Sequence, residues 1–234
     1  MKNSMVLMTE GRIEERVIRF AIPILLSNLL QQLYNTLDTI VVGRYVGSTA
    51  LAAVGSTGAL TNLIIGFFIG LSTGAGVVVA QFYGAKNDEE LHKAVHTGMA
   101  ISLASAVIIA VVGIAGTPLF LHWMGTPDDV MEPATLYLRI ILGGVVFMTV
   151  YNMGSGILRA VGDSTRPLIY LAVCAVLNVA LNLLFVVGFD MGVAGVGWAT
   201  VVAQSVSAAL VLYNLIRTTA PFQLHISKIR FHRE

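Results

Sequence analysis

The sequence predicts an all-α integral membrane protein built as a bundle of six transmembrane helices. Of the 234 residues, 56% are apolar and 12% are charged, and that charged share is about half of the roughly 25% usual for a soluble domain. Charged residues are also missing from long stretches, the longest of which runs for 41 residues from Tyr45 to Ala85. These stretches are continuously apolar, whereas the strands of a membrane β-barrel are segments of about ten residues that alternate between apolar and polar.

Composition excludes several other classes of protein. The formal net charge of +1 lacks the large basic excess of a nucleic-acid-binding protein, so we expect no nucleic-acid partner. High hydrophobicity with low net charge is the reverse of the pattern typical of disordered chains. Cys174 is the single cysteine, which excludes a disulfide framework and a cysteine-based zinc site.

Six segments have the length and apolarity of a membrane-spanning helix, which needs about 20 residues. The first predicted span, Val17–Val42, is apolar overall although it contains Arg19 and Asp38. The other five overlap the charge-free stretches and are predicted at Leu51–Phe82, His96–Leu121, Pro133–Ile157, Pro167–Phe189 and Met191–Ile216. Residues 217–234 follow as a basic cytoplasmic tail, and the whole chain, 1–234, is predicted to form a single membrane lobe.

The distribution of Lys and Arg predicts the orientation of this lobe. With a cytoplasmic N-terminus, twelve of the fourteen Lys and Arg lie on the cytoplasmic side. The exceptions are Arg44, in an outer loop, and Arg139, inside the fourth span. Because cytoplasmic loops are enriched in Lys and Arg, we predict a multi-pass protein of the cell membrane with both termini in the cytoplasm. Arg139 is expected either to extend to an interface or to pair inside the bundle.

The first span carries a polar stripe. Ser27, Gln31, Tyr34 and Asp38 follow one another at spacings of four, three and four residues, which places them on one helix face, and Asn28 and Asn35 border that face. Asp38 is the only carboxylate well inside a predicted span. A charge at this depth costs at least a few kcal/mol, so an intramembrane acid indicates function. The alternative is that Asp38 lies near the outer interface and is simply hydrated.

Two further spans carry polar faces. Asn178 and Asn182 share one face of the fifth span, and Thr200, Gln204 and Ser207 share one face of the sixth. Taken singly, such residues are typical of hydrogen bonds between membrane helices, which contribute under about 1 kcal/mol each. The three stripes together favour a polar interior, and we predict that a substrate cavity is lined by Gln31, Tyr34, Asn35 and Gln204.

Local features of the spans add two predictions about the helices. Pro23 lies inside the first span, where a proline removes a backbone hydrogen bond and kinks the helix, so we predict a hinge there. Gly66, Gly70 and Gly74 recur every four residues in the second span and predict the close approach of another helix.

The residue patterns do not point to catalysis or to a resident metal ion. The five histidines lie in loops, at span ends or in the tail and are predicted to be interfacial. Ser155, in Gly154-Ser155-Gly156, has no intramembrane His or Lys to act as its base. We therefore predict that the chain is not an enzyme and carries no cofactor.

Several stretches of the sequence resemble one transporter family. They are Ala21–Pro23, Gln31–Gly58, Gln81–Asp88, Leu158–Pro167, Leu177–Phe185 and Gly195–Gln204. In this order they are similar to the first half of the multidrug and toxic compound extrusion (MATE) transporters. The resemblance implies that the six helices form one lobe of a twelve-helix transporter. It also implies secondary active efflux, in which inward Na⁺ or H⁺ drives small cationic, amphipathic compounds out of the cell.

The resemblance also implies roles for particular residues. The essential acid of the family's first helix falls on Asp38, and a cation site found in one branch falls on Asn178, Asn182 and Thr200. That branch has Asp where this chain has Asn182. An amide cannot take up a proton although its carbonyl can still bind Na⁺, so the coupling ion is left open between Na⁺ and H⁺.

The resemblance covers the first lobe only. It implies that the chain is either a fragment that lacks a second lobe or a half-transporter in which a second copy of the chain takes that place. Two other functions stay open. One is a superfamily relative that flips lipid-linked oligosaccharides, although Arg139 is the only basic candidate for the cavity such a protein would need. The other is a membrane subunit that does not itself transport.

Overall fold

The computed structural model describes residues 13–225, except for the side chains of Ile13 and Arg16, and every regular element in that range is helical. Seven α-helices follow one another: α1 (Ile13–Val41), α2 (Ser48–Gly84), α3 (Asp88–Trp123), α4 (Asp128–Gly143), α5 (Val145–Ala160), α6 (Thr165–Asn182) and α7 (Gly192–Arg217). A π-helical turn at Val42–Val46 prolongs α1, and another at Leu183–Gly188 prolongs α6. The prediction of an all-α fold is confirmed.

The helices account for the six predicted spans. α1 with its π-helical turn, α2, α3, α6 with its π-helical turn, and α7 are each long and apolar enough to cross a membrane. The predicted span Pro133–Ile157 corresponds to two helices, α4 and α5, which meet at a bend of 46°. With this pair counted as one broken span, the described residues contain six candidate spans.

The bend between α4 and α5 lies at Gly144. A Cβ atom at this position would collide with the side chain of Val201 on α7, so the absence of a side chain lets α7 approach the backbone at the bend. The sequence prediction of one continuous helix missed the bend. Two consecutive glycines, Gly143 and Gly144, leave the length and hydropathy of an apolar run unchanged, and these were the properties from which the span was predicted.

Successive spans alternate in direction, so their ends form two faces of the bundle. At one face, which we call the basal end, α1 begins, α7 ends, and two turns lie at 85–87 and 161–164. At the opposite face, the apical end, lie the π-helical turn Val42–Val46 and the turns at 124–127 and 189–191. The basal end is the one predicted to face the cytoplasm.

α7 forms the centre of the bundle and packs against α4, α5 and α6. Towards the basal end, Val211 and Leu215 of α7 join a buried cluster with residues of α2, α3 and α5. Towards the apical end, Val196 of α7 packs with Leu138 and Leu142 of α4. α1 lies at the periphery, since 6% of its most apolar window is buried, against 39% for α7. One side of the bundle, formed by α1 and α2, is therefore open.

The chain folds back onto the basal end after α7. Phe222 and Leu224 are fully buried, and the backbone N–H of Leu224 donates to the carbonyl of Leu215 at 3.0 Å. Of the predicted basic tail, residues 218–225 are packed against the bundle, and the segment Lys228–Arg233 lies outside the described residues.

His96 departs from the sequence prediction. It was predicted to lie at an interface, and its side chain is fully buried. Its Nδ1 lies 2.7 Å from the carbonyl oxygen of His92, and its Nε2 accepts a hydrogen bond from the backbone N–H of His225 at 2.9 Å. Hydropathy could not reveal this, because the segment that buries His96 comes from the end of the chain.

The predicted close approach of another helix to Gly66, Gly70 and Gly74 is also wrong for the described residues. No atom outside the local helix lies within 4 Å of a Cβ built at Gly66, Gly70 or Gly74, so no other described helix packs against this stripe. Pro23 lies inside α1, which continues without a break from Ile13 to Val41, and its role as a hinge stays a prediction.

Candidate functional site

A chain of hydrogen bonds joins α1, α6 and α7 in the apical half of the bundle. Asp38 Oδ1 accepts a hydrogen bond from Asn182 Nδ2. Asn182 Nδ2 also donates to Asn178 Oδ1 at 2.9 Å, and Asn178 Nδ2 donates to Thr200 Oγ1 at 3.3 Å. Both asparagines are fully buried, whereas Asp38 and Thr200 are half-buried. The structure thus brings together the four residues predicted to bind the coupling ion, and their role in coupling stays a prediction.

Helical periodicity explains this convergence. Asn178 and Asn182 are one turn apart on α6, so the two amides stack along one face and can bond to each other. α6 packs against both α1 and α7, which brings that face against the polar stripe of α1 on one side and Thr200 on the other. Thr200 Oγ1 in turn donates to the carbonyl of Val196, at 3.1 Å, so each donor atom of the chain makes at least one hydrogen bond.

The acceptors around the site are not all used. Three buried side-chain oxygens around the site have no hydrogen-bond partner among the described residues: Thr61 Oγ1, Asn182 Oδ1 and Gln204 Oε1. A buried polar atom without a partner costs about 1–3 kcal/mol, and each such atom in a folded protein calls for an explanation such as a water or an ion. Oxygen atoms beside a carboxylate are the donor set that hard cations prefer. The site therefore has the chemistry to take up a small cation or a proton.

Asp38 opens into a small cavity of about 130 Å³ between α1, α2, α4 and α7. The four residues predicted to line a cavity, Gln31, Tyr34, Asn35 and Gln204, all lie on its wall with Asp38 and Thr200. Asp38 therefore faces a pocket within the bundle. Two fully buried asparagines lie beside it, which favours the bundle interior over the alternative of an interfacial, hydrated acid, and its depth in the membrane stays a prediction.

A larger cleft of about 600 Å³ adjoins this cavity on its basal side. Gln31, Asn35 and Gln204 line both spaces, and the cleft extends between α1, α2, α5 and α6 past Ser27 and Asn28. Ser207, predicted to belong to the polar face of α7, takes no part in either wall. Its Oγ donates to the carbonyl of Tyr170 at 3.0 Å, so it joins two helices instead.

The structure adds residues that the sequence prediction missed. Thr61 and Tyr137 line the small cavity, and Asn62, Asn152 and Arg159 line the cleft. The amides of Asn62 and Asn152 interrupt apolar spans and could have been noticed in the sequence. Tyr137 and Arg159 lie near span ends, where such residues are common, so no sequence signal distinguished them.

Arg139 and Arg159 take different places in the bundle. Arg139 was predicted either to extend to an interface or to pair inside the bundle; its side chain is exposed and forms no ion pair with the described residues, so the pairing alternative is wrong. Arg159, at the basal end of α5, is the basic side chain that lines the cleft. Arg139 follows the buried Leu138 on α4 and is itself exposed.

Comparison with known families decides the identity of this bundle. The family model described as MatE matches residues 23–184, more than half of the chain. The chain belongs to the MATE family. The match includes Pro23, Asp38, Asn178 and Asn182, whereas Thr200 and Gln204 lie beyond the matched range.

Individual MATE proteins are similar over nearly the whole chain. The "Probable multidrug resistance protein YoeA" of Bacillus subtilis is 35% identical over 208 residues, which is 87% of this chain and 45% of the relative. A solved "outward-facing conformation of a multidrug resistance MATE family transporter" superposes with a TM-score of 0.91 at 26% identity, covering 100% of this chain and 52% of that one. An "inward-facing conformation" of such a transporter gives a TM-score of 0.81 at 27% identity, with 87% and 46% covered. The chain thus spans about half the length of the MATE proteins it matches.

Proposed function

We propose that this chain forms one lobe of a secondary active efflux transporter in the cell membrane, which exchanges a coupling cation for small cationic, amphipathic compounds. The observation that carries the proposal is the hydrogen-bonded chain from Asp38 through Asn182 and Asn178 to Thr200, set beside a cavity inside the helical bundle. An acid in this position is costly unless it pairs with something. The family membership and the names of the relatives support the same reading.

The coupling step follows from the partners of Asp38. Asn182 Nδ2 donates hydrogen bonds to both Asp38 and Asn178. The Oδ1 of Asn182 is therefore buried beside the carboxylate without a partner among the described residues. A cation bound here would neutralise Asp38 and satisfy this oxygen in one step. An amide oxygen can bind Na⁺ but offers no site for a second proton. We therefore favour Na⁺ as the coupling ion, with H⁺ on Asp38 alone as the competing case.

The carboxylate of Asp38 also acts on the substrate. With no cation bound, the carboxylate of Asp38 attracts a cationic compound into the cavity, whose wall also offers amides and apolar side chains. With the cation bound, that attraction is lost and the compound is released. Pro23 lies fifteen residues before Asp38 on α1, and we propose that α1 changes its bend there as the site fills and empties.

A second lobe completes the transporter in this proposal. Gln32, Asn35, Asn62 and Thr73 are exposed on the open side formed by α1 and α2. Polar side chains at membrane depth are found against protein or water, not against lipid. We propose that a second six-helix lobe, or a second copy of this chain, covers that side and closes the cleft into a pathway.

The test is efflux of a fluorescent cation from bacterial cells that lack their own exporters. The chain is expressed as a fusion with the second half of its Bacillus subtilis relative, so that a second lobe is present. Asp38→Asn should reduce efflux to the level of empty cells, because the neutral amide can neither bind the cation nor attract the substrate. Imposed Na⁺ and H⁺ gradients, each applied separately, identify the coupling ion.

The matched control for this experiment is Asp190→Asn. Asp190 lies in the apical turn with a φ of 53°, a backbone conformation that Asn adopts readily, so this change should leave efflux unaltered. Efflux that survives in the Asp38→Asn fusion would eliminate the proposed role of Asp38. Efflux driven by H⁺ and indifferent to Na⁺ would reject Na⁺ as the coupling ion.

A further inference from the structure

The large basal cleft contains a charge for which the proposed exchange mechanism has no use. Arg159 is the only charged side chain among the described residues that line this cleft, and the rest of the wall consists of amides, hydroxyls and apolar groups. An arginine is always ionised. The cleft is therefore locally positive at its basal end, whereas the Asp38 cavity is locally negative.

The guanidinium of Arg159 is largely unpaired. Its Nε donates to the carbonyl of Ser155, one turn back on α5, at 3.2 Å. No described carboxylate lies within ion-pair distance of the group, and no other hydrogen bond to it is described. Its position in the last turn of α5 is favourable for a cation, but that interaction leaves the two terminal amino groups without a partner among the described residues.

Arg166 shows what a structural arginine looks like at the same end of this bundle. Its Nε forms an ion pair with Asp163 Oδ2 at 3.2 Å, and its Nη1 donates to Asn214 Oδ1 at 3.3 Å. Asp163 is fully buried, so this pair is part of the packing between α6 and α7. Arg159 has no such partner in the part of the chain that the structure describes and lines the cleft instead, which separates its role from that of Arg166.

The site at Arg159 is distinct from the site at Asp38. Phe20 lines the cleft near Ser164, whose Oγ donates to the carbonyl of Phe20, and Ser164 follows Arg159 closely along the chain. Phe20 and Asp38 are separated by 18 residues of α1, or about 27 Å along a helix at 1.5 Å per residue. A drug-sized molecule does not reach across that distance, so one such ligand does not contact both Asp38 and Arg159.

We propose that the basal cleft binds amphiphiles that carry an anionic head group, namely a carboxylate, sulfonate or phosphate, with Arg159 as the residue that recognises it. Arginine suits this role because its planar donors bind such oxyanions in a bidentate manner. The apolar part of the ligand lies against Phe20, Ile65, Ile69 and Leu171, which line the same cleft. The use of this site in transport rests on the proposed function, whereas the binding of an anionic amphiphile at the site does not.

Binding is tested on the purified 234-residue chain in an uncharged maltoside detergent, which contains no anionic head group to compete. The probes are tritiated naphthalene-2-sulfonate and naphthalene-2-sulfonamide, which differ only in the charge of the head group, and binding is measured by scintillation proximity. We expect the wild-type chain to bind the sulfonate about tenfold more tightly than the sulfonamide, the range of one charge-assisted pair.

Three variants assign that preference to one side chain. Arg159→Gln should abolish it, and Arg159→Lys should retain part of it because the charge is kept without the bidentate geometry. Arg139→Gln, which removes an exposed arginine, should retain all of it. Equal affinities of the wild-type chain for the two probes, or a preference that survives Arg159→Gln, would overturn the proposal, and the wild-type comparison decides even if a variant fails to fold.

Competition then identifies the source of the head group. Phosphatidylglycerol and a water-soluble alkyl phosphate are each titrated against the bound sulfonate. Displacement by the lipid at the lower concentration assigns the site to a bilayer lipid, and displacement by the soluble phosphate assigns it to a free anionic compound. The assay uses no ion gradient, so its result is independent of whether Asp38→Asn abolishes efflux.

Discussion

At the residue scale, many buried polar side chains of the bundle bond to one particular partner, because an unpaired polar group is costly. Ser72 Oγ donates to the carbonyl of Asn152 at 2.7 Å and thereby joins α2 to α5. Tyr151 Oη donates to the carbonyl of Pro167 at 3.1 Å. Ser102, Thr126 and Ser155 also hold buried oxygens without a partner among the described residues, but these line neither cavity. Thr61 and Gln204 near Asp38, and Arg159 in the cleft, have unused polar atoms on a cavity wall.

The cost of leaving a buried polar group unpaired can be measured at His96. His96→Ala removes the acceptor of the His225 N–H and a fully buried ring, so the free energy of unfolding should fall by about 1–3 kcal/mol. Thermal unfolding followed by size-exclusion chromatography measures the change. His122→Ala, at the exposed apical end of α3, is the control and should leave the midpoint unchanged. Equal midpoints for the two variants would show that the contact with residues 218–225 contributes no stability.

At the element scale, close helix contacts depend on glycine at only a few positions. Gly144 and Gly154 both face the crowded side of α7, where a Cβ atom would collide with Val201 or Val211. Gly66, Gly70 and Gly74 have open space instead. A glycine repeat in a membrane helix thus shows where another helix can approach, and the neighbours of each glycine decide whether one does.

Gly144→Ala tests the bend between α4 and α5. The added methyl group overlaps the side chain of Val201, and overpacking of this kind costs about 1–3 kcal/mol, so we expect a lower unfolding temperature. Gly143→Ala is the matched control, since nothing lies within 4 Å of a Cβ at Gly143, and it should be neutral or stabilising. Val201→Ala added to Gly144→Ala should restore stability. A Gly144→Ala variant as stable as the Gly143→Ala variant would refute the steric account of the bend.

At the scale of the whole molecule, the bundle has two dissimilar sides. The side formed by α3 and α4 presents apolar residues suited to lipid, such as Val107, Ile108, Val111 and Leu136. The side formed by α1 and α2 mixes apolar residues with exposed amides and opens into the cleft. This asymmetry is what a lobe requires if one side faces lipid and the other faces a partner of similar size.

The predicted orientation in the membrane belongs to this scale and can be tested by labelling. Cys174 is buried, so single cysteines introduced elsewhere should react selectively. Asp129→Cys, in the first turn of α4 at the apical end, should react with a membrane-impermeant maleimide on intact cells. Asp88→Cys, in the first turn of α3 at the basal end, should react only after permeabilisation. The reverse pattern would place both termini outside.

Much of the fold was determined by the sequence alone. The long apolar segments predicted six helical segments that overlap the observed helices, because a bilayer imposes one length and one composition on any helix that crosses it. The polar stripes on α1, α6 and α7 also predicted which faces turn inward, since helical periodicity fixes the relative directions of side chains on one helix.

The tertiary structure alone decided how those faces combine. It brought Asn182 against Asp38, although 144 residues separate them, buried His96 under the returning chain, bent the fourth span at Gly144, and placed Arg159 in the cleft while leaving Arg139 outside. Each of these outcomes depends on how one helix is rotated against another. That rotation is set by the shapes of side chains distant in sequence, so neither the hydropathy nor the periodicity of any single span contains it.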